Sequence, residues 1–497
     1  MQSLTASPLR LAAFVACAST LALLLVACKS SPNASTEASA PPPTTITCAA
    51  AGAATKNVTA PTAIDSTCAQ IPYAPALFKT VEGGYSANQT TADMYSWLSF
   101  VALNWPVNPA TCAPDPTQSI LTNPSSPTWM TYLTTDDVFK TSGAPDPWCG
   151  ASAPNGAKGL AAVASLQAAR LPTSVRALAA AHPEIHLFLS HDSKSGELVS
   201  SLHALHALAA APTRMQAILQ STDLPIVDQN GRYARFTVSM NSDEASFITK
   251  NTLYTKAGQT KYGNVTFPVS DSSKGVMGVI ELKAAWKILG PGDNPANFFT
   301  QQAIVYNDST GKPSPGPNPV TVGLIGLHIL HKSQGQSMWA WSTFEQTDND
   351  TTSFFNPNCK APIPNPNNHC VVNATTIPSK LAKTAPELSP TGKPLQFPTQ
   401  IQPKSYIVPS NPQYDAAFQS LLASTPWAHY KLVSTQWFAG AVGLVPQYLG
   451  ATVQETFVPQ NDSTGHPLDS CANCHQGAQD PGGHSAEFSF ILYDAQQ

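Results

Sequence analysis

A Cys-Ala-Asn-Cys-His run, residues 471–475, stands only 22 residues from the end of a 497-residue chain. That placement limits what the chain can fold into more than any other feature. Two thiols three positions apart on one helical turn can add to the two vinyl groups of a haem, and the next residue, His475, then faces the iron as proximal ligand. A group of that size needs walls. Too little sequence follows the motif to build them, so a body placed earlier in the chain has to supply the distal side. Half of a zinc site is the first competing reading, but a structural zinc needs four ligands and no second Cys pair stands nearby. A thioredoxin-like redox pair is the second, and it lacks the expected βαβ surroundings. The expectation is one covalent haem c on Cys471 and Cys474, with His475 on the iron.

The N-terminus fits an oxidising compartment. MQSLTASPLR is followed by LAAFVACASTLALLLVAC, an apolar run of signal-peptide type. Leu25-Val26-Ala27-Cys28 matches the bacterial lipobox, in which the signal is cut before Cys28 and the new terminal thiol is acylated. The run is short for a membrane-spanning helix and gives way at once to a polar tract. Lys29 replaces the Asp associated with inner-membrane retention of Gram-negative lipoproteins, which favours the outer membrane, facing periplasm or cell surface. Residues 29–47, KSSPNASTEASAPPPTTIT, have the composition of a disordered tether. The organisation expected is a signal peptide over 1–27, an acylated Cys and tether over 28–47, a body over 48–460 and a haem attachment segment over 461–497. Within the body, 48–222 reads as helix-rich and 223–460 as β-rich.

Ten cysteines are present. Setting aside Cys17 in the signal, Cys28 and the haem pair leaves Cys48, Cys68, Cys112, Cys149, Cys359 and Cys370, an even number suited to three disulfides. Pairing of sequence neighbours is the simplest of the possible connectivities. Each bridge would contribute ~3–4 kcal/mol by restricting the unfolded chain. Charged residues make up 11% of the chain and the formal net charge is −4, so nothing in the composition points to a nucleic-acid surface.

The periodicities describe an α+β fold. TTADMYSWLSFVALNWP (90–106) spaces Met94, Trp97, Leu98 and Val101 as one helical face and stops at Pro106. SSPTWMTYLTTDDVF (125–139) reads as a helix capped by Ser126 with Pro127 at its first position. Ala/Leu-rich helices are expected in GLAAVASLQAARL and SSLHALHALAAAPTRMQAIL. LPIVDQNGRYARFTVSM (224–240) reads as a hairpin turning at Asn230-Gly231, and a helix capped by Asn241 follows, with acids in its first turn. GVMGVIELKAAWKIL, QQAIVYND, VTVGLIGLHILHK and SMWAWSTFEQ read as strands, several of them apolar on both faces and so central. Glu281 and Lys283 share one face of such a strand, and buried charges need partners.

Several of these stretches resemble one family. FVALNWP, PIVDQNGRYARF, GVIELKAAWKIL, GLIGLHILHK, MWAWSTFEQTDN, STQWF and the closing CANCH…AEFSFIL, spread over residues 95–492, are similar to a family of bacterial c-type cytochrome proteins of about this length. The resemblance implies a secreted protein with a single C-terminal haem. The family often carries a His after Thr-Phe-Glu, where this chain has Gln346.

A distal iron ligand has few sources. No Met follows Met338, and the only His after the motif is His484. His328, an imidazole set in mid-strand among apolar residues, is the body's best candidate, against the alternative of a core histidine bonded to a carbonyl. His331, Met338 and His484 stand behind it. Three functions remain open: electron transfer with a redox partner protein or acceptor, a haem oxidoreductase with an open or weakly ligated iron, or a surface lipoprotein in which the haem is structural.

One test belongs to the N-terminus. Cys28→Ala should leave the precursor unacylated and uncleaved by the lipoprotein peptidase. A processed, detergent-extracted lipoprotein recovered from that variant would overturn the lipobox.

Overall fold

Ten strands, numbered β1 to β10, form one sheet in the computed structural model, which describes residues 45–53, 58–73, 85–150, 166–185, 187–190, 228, 230, 232–307, 312–313, 316–336, 338–351, 411–438, 443–446, 449, 471–495 and 497. They are β1 (Leu133–Thr134), β2 (Leu187–Ser190), β3 (Arg235–Met240), β4 (Ile280–Ile288), β5 (Thr300–Asn307), β6 (Lys312–Pro313), β7 (Val320–His331), β8 (Ala340–Gln346), β9 (Tyr430–Phe438) and β10 (Leu444–Val445). The main path runs β10-β9-β8-β7-β4-β3-β1, all antiparallel, with β5 pairing the outer part of β7 and carrying β2 and β6. Only β2 and β5 run parallel among these pairs. With its helices, the sheet makes the α+β class plain.

β4, β7 and β8 are buried along nearly their whole length, as their double-sided apolar sequence requires. Alternation then sorts the side chains. Ile280, Leu282, Ala284, Leu327, Ile329 and Phe344 face a large core that reaches back to Cys48 and Cys68. Met240, Leu330 and Trp341 face a second core made with the C-terminal segment.

The first face is covered by α1 (Tyr85–Leu103). Met94, Trp97, Leu98, Phe100 and Val101 are all buried, and so are Asp93, Ser96 and Ser99, so this helix is enclosed nearly all round from residue 91 onward. Two of its polar groups bond to the sheet: Ser96 Oγ lies 2.6 Å from both Ser342 Oγ and Thr435 Oγ1, and Gln89 Nε2 donates to the Thr435 carbonyl at 2.9 Å. Trp97 stacks on Phe418 at 4.9 Å, and Phe100 on Phe344 at 4.3 Å. Asn104 ends the helix by donating to the Phe100 carbonyl and accepting from Trp129 Nε1 at 2.7 Å.

The stretch 125–139 departs from the single helix its sequence suggests. Thr128–Thr131 forms one 3-10 turn, the short β1 pairs with β3, and a separate helical turn covers Thr135–Val138. Hydroxyls explain the break. Thr128 donates both N–H and Oγ1 to the Trp105 carbonyl, and Thr134 and Asp137 form a capping box that starts the second turn. Asn241 caps α2 (Ser242–Lys250), accepting from Glu244 N at 3.1 Å and donating to the Gly278 carbonyl at 2.7 Å. At the turn before β3, the Asp228 carboxylate accepts from Asn230 N and Arg232 N; residues 224–227 and Gly231 lie outside the described residues.

Cys48 is bonded to Cys68 and Cys112 to Cys149. Cys28, Cys359 and Cys370 lie outside the described residues, as does the expected helix over 200–219. The body also begins slightly earlier than the tether's composition suggests, because Ile46 accepts from Thr62 N and donates to Thr62 Oγ1. Among the described residues, no helix is long and apolar enough to cross a membrane.

Asp93 of α1 is buried against Gln89 and the backbone N–H of Asn411, and burial raises its pKa from 3.8 to about 6 despite those bonds. A carboxyl whose folded pKa is raised stabilises the fold most when protonated, and that advantage is lost as pH rises through about 6. Asp93→Asn should therefore match the wild type near pH 4 and become more stable above about pH 6, by up to about 3 kcal/mol. Denaturant unfolding at the two pH values measures the difference, and equal stabilities at high pH would refute it.

Candidate functional site

The Cys-x-x-Cys-His run forms α3 (Cys471–His475), a single helical turn docked on the second face of the sheet. Two bonds seat it. Ala472 N donates to Gln436 Oε1 at 2.8 Å, and the same Gln436 amide donates to the Pro446 carbonyl at 2.8 Å. Cys471 is buried, with its Sγ donating to the Leu449 carbonyl at 3.5 Å. Cys474 lies on the same turn; its side chain is outside the described residues.

His475 Nδ1 lies 2.6 Å from the carbonyl oxygen of Phe488. A carbonyl only accepts, so the proton is on Nδ1 and the lone pair of the neutral ring is on Nε2. This is the tautomer that an iron-binding imidazole needs, and a backbone carbonyl is one of the usual partners for its other nitrogen. The ring is further confined by Phe490, 5.0 Å away edge-on, and Trp341 at 6.1 Å.

The segment after the motif is itself fixed. Asp480 accepts from Gly482 N and His484 N, and its carboxylate meets His484 Nδ1 at 3.0 Å. His484 is thus bonded back to its own turn. Val265 N donates to the Ser485 carbonyl and Gln259 Nε2 to that of Leu492, tying the segment to the body. Phe490 and Leu492 are buried in the second core, and Phe488 packs against it.

The strand register places a band of polar residues on the same face as the motif. Trp341 sits between Leu330 and Gln436, and Leu330 faces Glu281. One step along, Ser434, Thr343, His328 and Lys283 form the next row. Glu345 follows on the same side of β8, opposite Lys431. Glu281, Lys283, His328, Thr343, Glu345 and Ser434 are all buried. Lys283 Nζ also lies over the Phe236 ring, 5.2 Å from its centroid.

Several polar atoms on this side have no hydrogen-bond partner among the described residues: Trp339 Nε1, Trp341 Nε1, Thr343 Oγ1 and Ser434 Oγ. Each such atom costs roughly 1–3 kcal/mol if nothing meets it. Glu244 is fully buried, and its pKa is raised well above the ordinary carboxyl value by burial first, then by the charge and hydrogen bond of Glu281.

Glu244 lies in the first turn of α2, as the sequence leads one to expect, and it is also on the buried side of that helix with Ala245 and Ile248. The four-residue spacing to Ile248 was the available signal. Gln436 and the Phe488 carbonyl had none. Among the alternative iron ligands, His331 is on the α1 side, its Nδ1 bonded to Tyr95 and its Nε2 donating to the Met277 carbonyl at 2.8 Å; burial lowers its pKa to about 4. Met338 packs against the second core. His328 shares the motif's face. Among the described residues, no three His, Cys, Asp or Glu side chains converge as a metal-ion ligand set.

Comparison with protein-family models, with curated protein sequences and with solved structures finds no match to this chain.

Proposed function

We propose that this chain is a c-type cytochrome of the cell envelope, carrying one haem bonded to Cys471 and Cys474, ligated by His475 and serving electron transfer. One observation carries the reading. The imidazole of the Cys-x-x-Cys-His run is held in the Nδ1–H tautomer, on a buried face whose indole and hydroxyl groups lack partners. Those residues suit the group: Nε2 of His475 offers the lone pair, and Trp341, Thr343 and Ser434 offer hydrogen-bonding groups to whatever is seated there. When bound, the haem supplies a one-electron couple. The chain's own part would be to hold His475, to exclude water with the aromatic wall of Trp341, Phe488 and Phe490, and to offer His328 from the sheet as a second imidazole for the iron. The similarity to single-haem secreted cytochromes noted in the sequence supports the same reading.

Cys28, as a lipid-bearing N-terminus, would attach the protein to the outer membrane, and the Ser/Thr/Pro tether would let the body meet a redox partner protein or acceptor. A second reading, a haem oxidoreductase, is favoured by the protonatable groups Glu244, Glu281, Lys283 and His328 on one buried side of the sheet. Electron transfer alone does not require them.

Haem should stay on the chain in denaturing gels and be lost in the Cys471→Ala/Cys474→Ala double variant. Staining that persists in the double variant would sink the attachment. In the optical spectrum, His328→Ala should convert a low-spin signal to high-spin and open the iron to cyanide. A wild-type protein that is already high-spin would instead favour the oxidoreductase.

A further inference from the structure

We infer that Lys332 and Glu487 are positioning residues for His475, their ion pair holding a left-handed dipeptide whose carbonyl fixes the imidazole. The inference rests on the haem reading above and deepens it.

Glu487 and Phe488 have φ angles of 46° and 71° in succession. Neither is a residue that tolerates this region well, because the Cβ of an L-residue crowds its own backbone there. Such a conformation persists only where the surroundings over-determine it, and strain of this kind gathers at functional sites. Here the surroundings are identifiable. Glu487 Oε1 pairs with Lys332 Nζ, and Glu487 Oε2 accepts from Phe267 N. Lys332 is buried at the end of β7, and its Nζ also donates to the Phe267 carbonyl at 2.7 Å. Its backbone is pinned as well, Lys332 N donating to Val279 O and Lys332 O accepting from Ser270 N, each at 3.0 Å. Both carboxylate oxygens of Glu487 are therefore bonded to a rigid strand end and the segment beside it.

The next residue carries the consequence. With Glu487 fixed and the Phe488 ring edge-on to Trp341 at 5.8 Å, the Phe488 carbonyl is turned toward His475 Nδ1. An extended Phe488 would point that carbonyl elsewhere. Ordinary chain geometry would not present an acceptor here; the half-buried ion pair does. Its role reaches the iron through the imidazole, since a carbonyl on Nδ1–H makes the ring a stronger donor and favours the oxidised metal.

The experiment uses the full-length haem protein and reads its midpoint potential together with its haem stain and circular dichroism. Glu487→Gln removes one negative charge as well as the clamp, so the deciding variant is Lys332→Met/Glu487→Gln, which removes one charge of each sign. Both should keep the haem. Both should shift the equilibrium toward the reduced form, by up to about tenfold, or about 59 mV for one electron. A shift in the single variant that vanishes in the double one would make Glu487 a charge effect only and overturn the inference. An unchanged potential in both, or loss of the fold in both, would reduce the pair to a structural staple and overturn it equally. A wild-type chain that carries no haem would sink the haem reading itself, a separate and visible failure.

Discussion

The antiparallel pairing of β4 with β7 is the constraint on which the other features depend. Its register sets Glu281 opposite Leu330, Leu282 opposite Ile329 and Lys283 opposite His328. Because side chains alternate, this one alignment sends Ile280, Leu282, Leu327 and Ile329 to the α1 core and Glu281, Lys283 and His328 to the motif's side. A slip of one residue would bury the charges beneath Trp97 and Phe100 and turn the aliphatic set toward the C-terminal segment. The large apolar core under α1 makes that slip costly, and so it also specifies where the polar band lies.

The two faces differ in degree: on the α1 side Ser99 Oγ and Trp427 Nε1 lack a partner among the described residues, but most of the other polar groups there are paired. On the α1 side, Ser96, Gln89 and Asn104 meet partners on the sheet or within the helix, and His331 is bonded at both ring nitrogens. On the motif's side, the indoles of Trp339 and Trp341 and the hydroxyls of Thr343 and Ser434 have no partner among the described residues. A fold selected for stability alone would fill such positions with Val, Leu or Phe, since a half-satisfied polar patch is worse than an apolar one. The contrast within one sheet points to use rather than neglect.

The C-terminal segment works as a lid tied down at several points. Gln436 seats α3, Gln259 holds the Leu492 carbonyl, and Lys332 with Phe267 holds Glu487. Gln436, Phe267 and Lys332 come from parts of the chain far apart in sequence. The left-handed Glu487-Phe488 pair costs on the order of 1–2 kcal/mol per residue and is offset by that anchoring. The short tail after the motif therefore shapes the proximal side of His475 itself, while the body forms the wall behind it.

Periodicity and punctuation alone determined the elements: α1 ending before Pro106, the Asn241 cap, and the four long strands of the second half all follow from local spacing and turn chemistry. The Cys-x-x-Cys-His run was likewise legible, because thiol spacing on one turn is a local property. Local reasoning failed at 125–139, where Thr hydroxyls captured backbone groups from residues distant in sequence. The place of Glu244 in the first turn of α2 was legible, but not its burial, which depends on what packs over that helix. Only the tertiary structure decided that His328 shares a face with the motif while His331 does not, and that Phe488 aims a carbonyl at His475. Those facts depend on strand register and on backbone angles fixed by remote ion pairs, and neither leaves a periodic trace in the sequence.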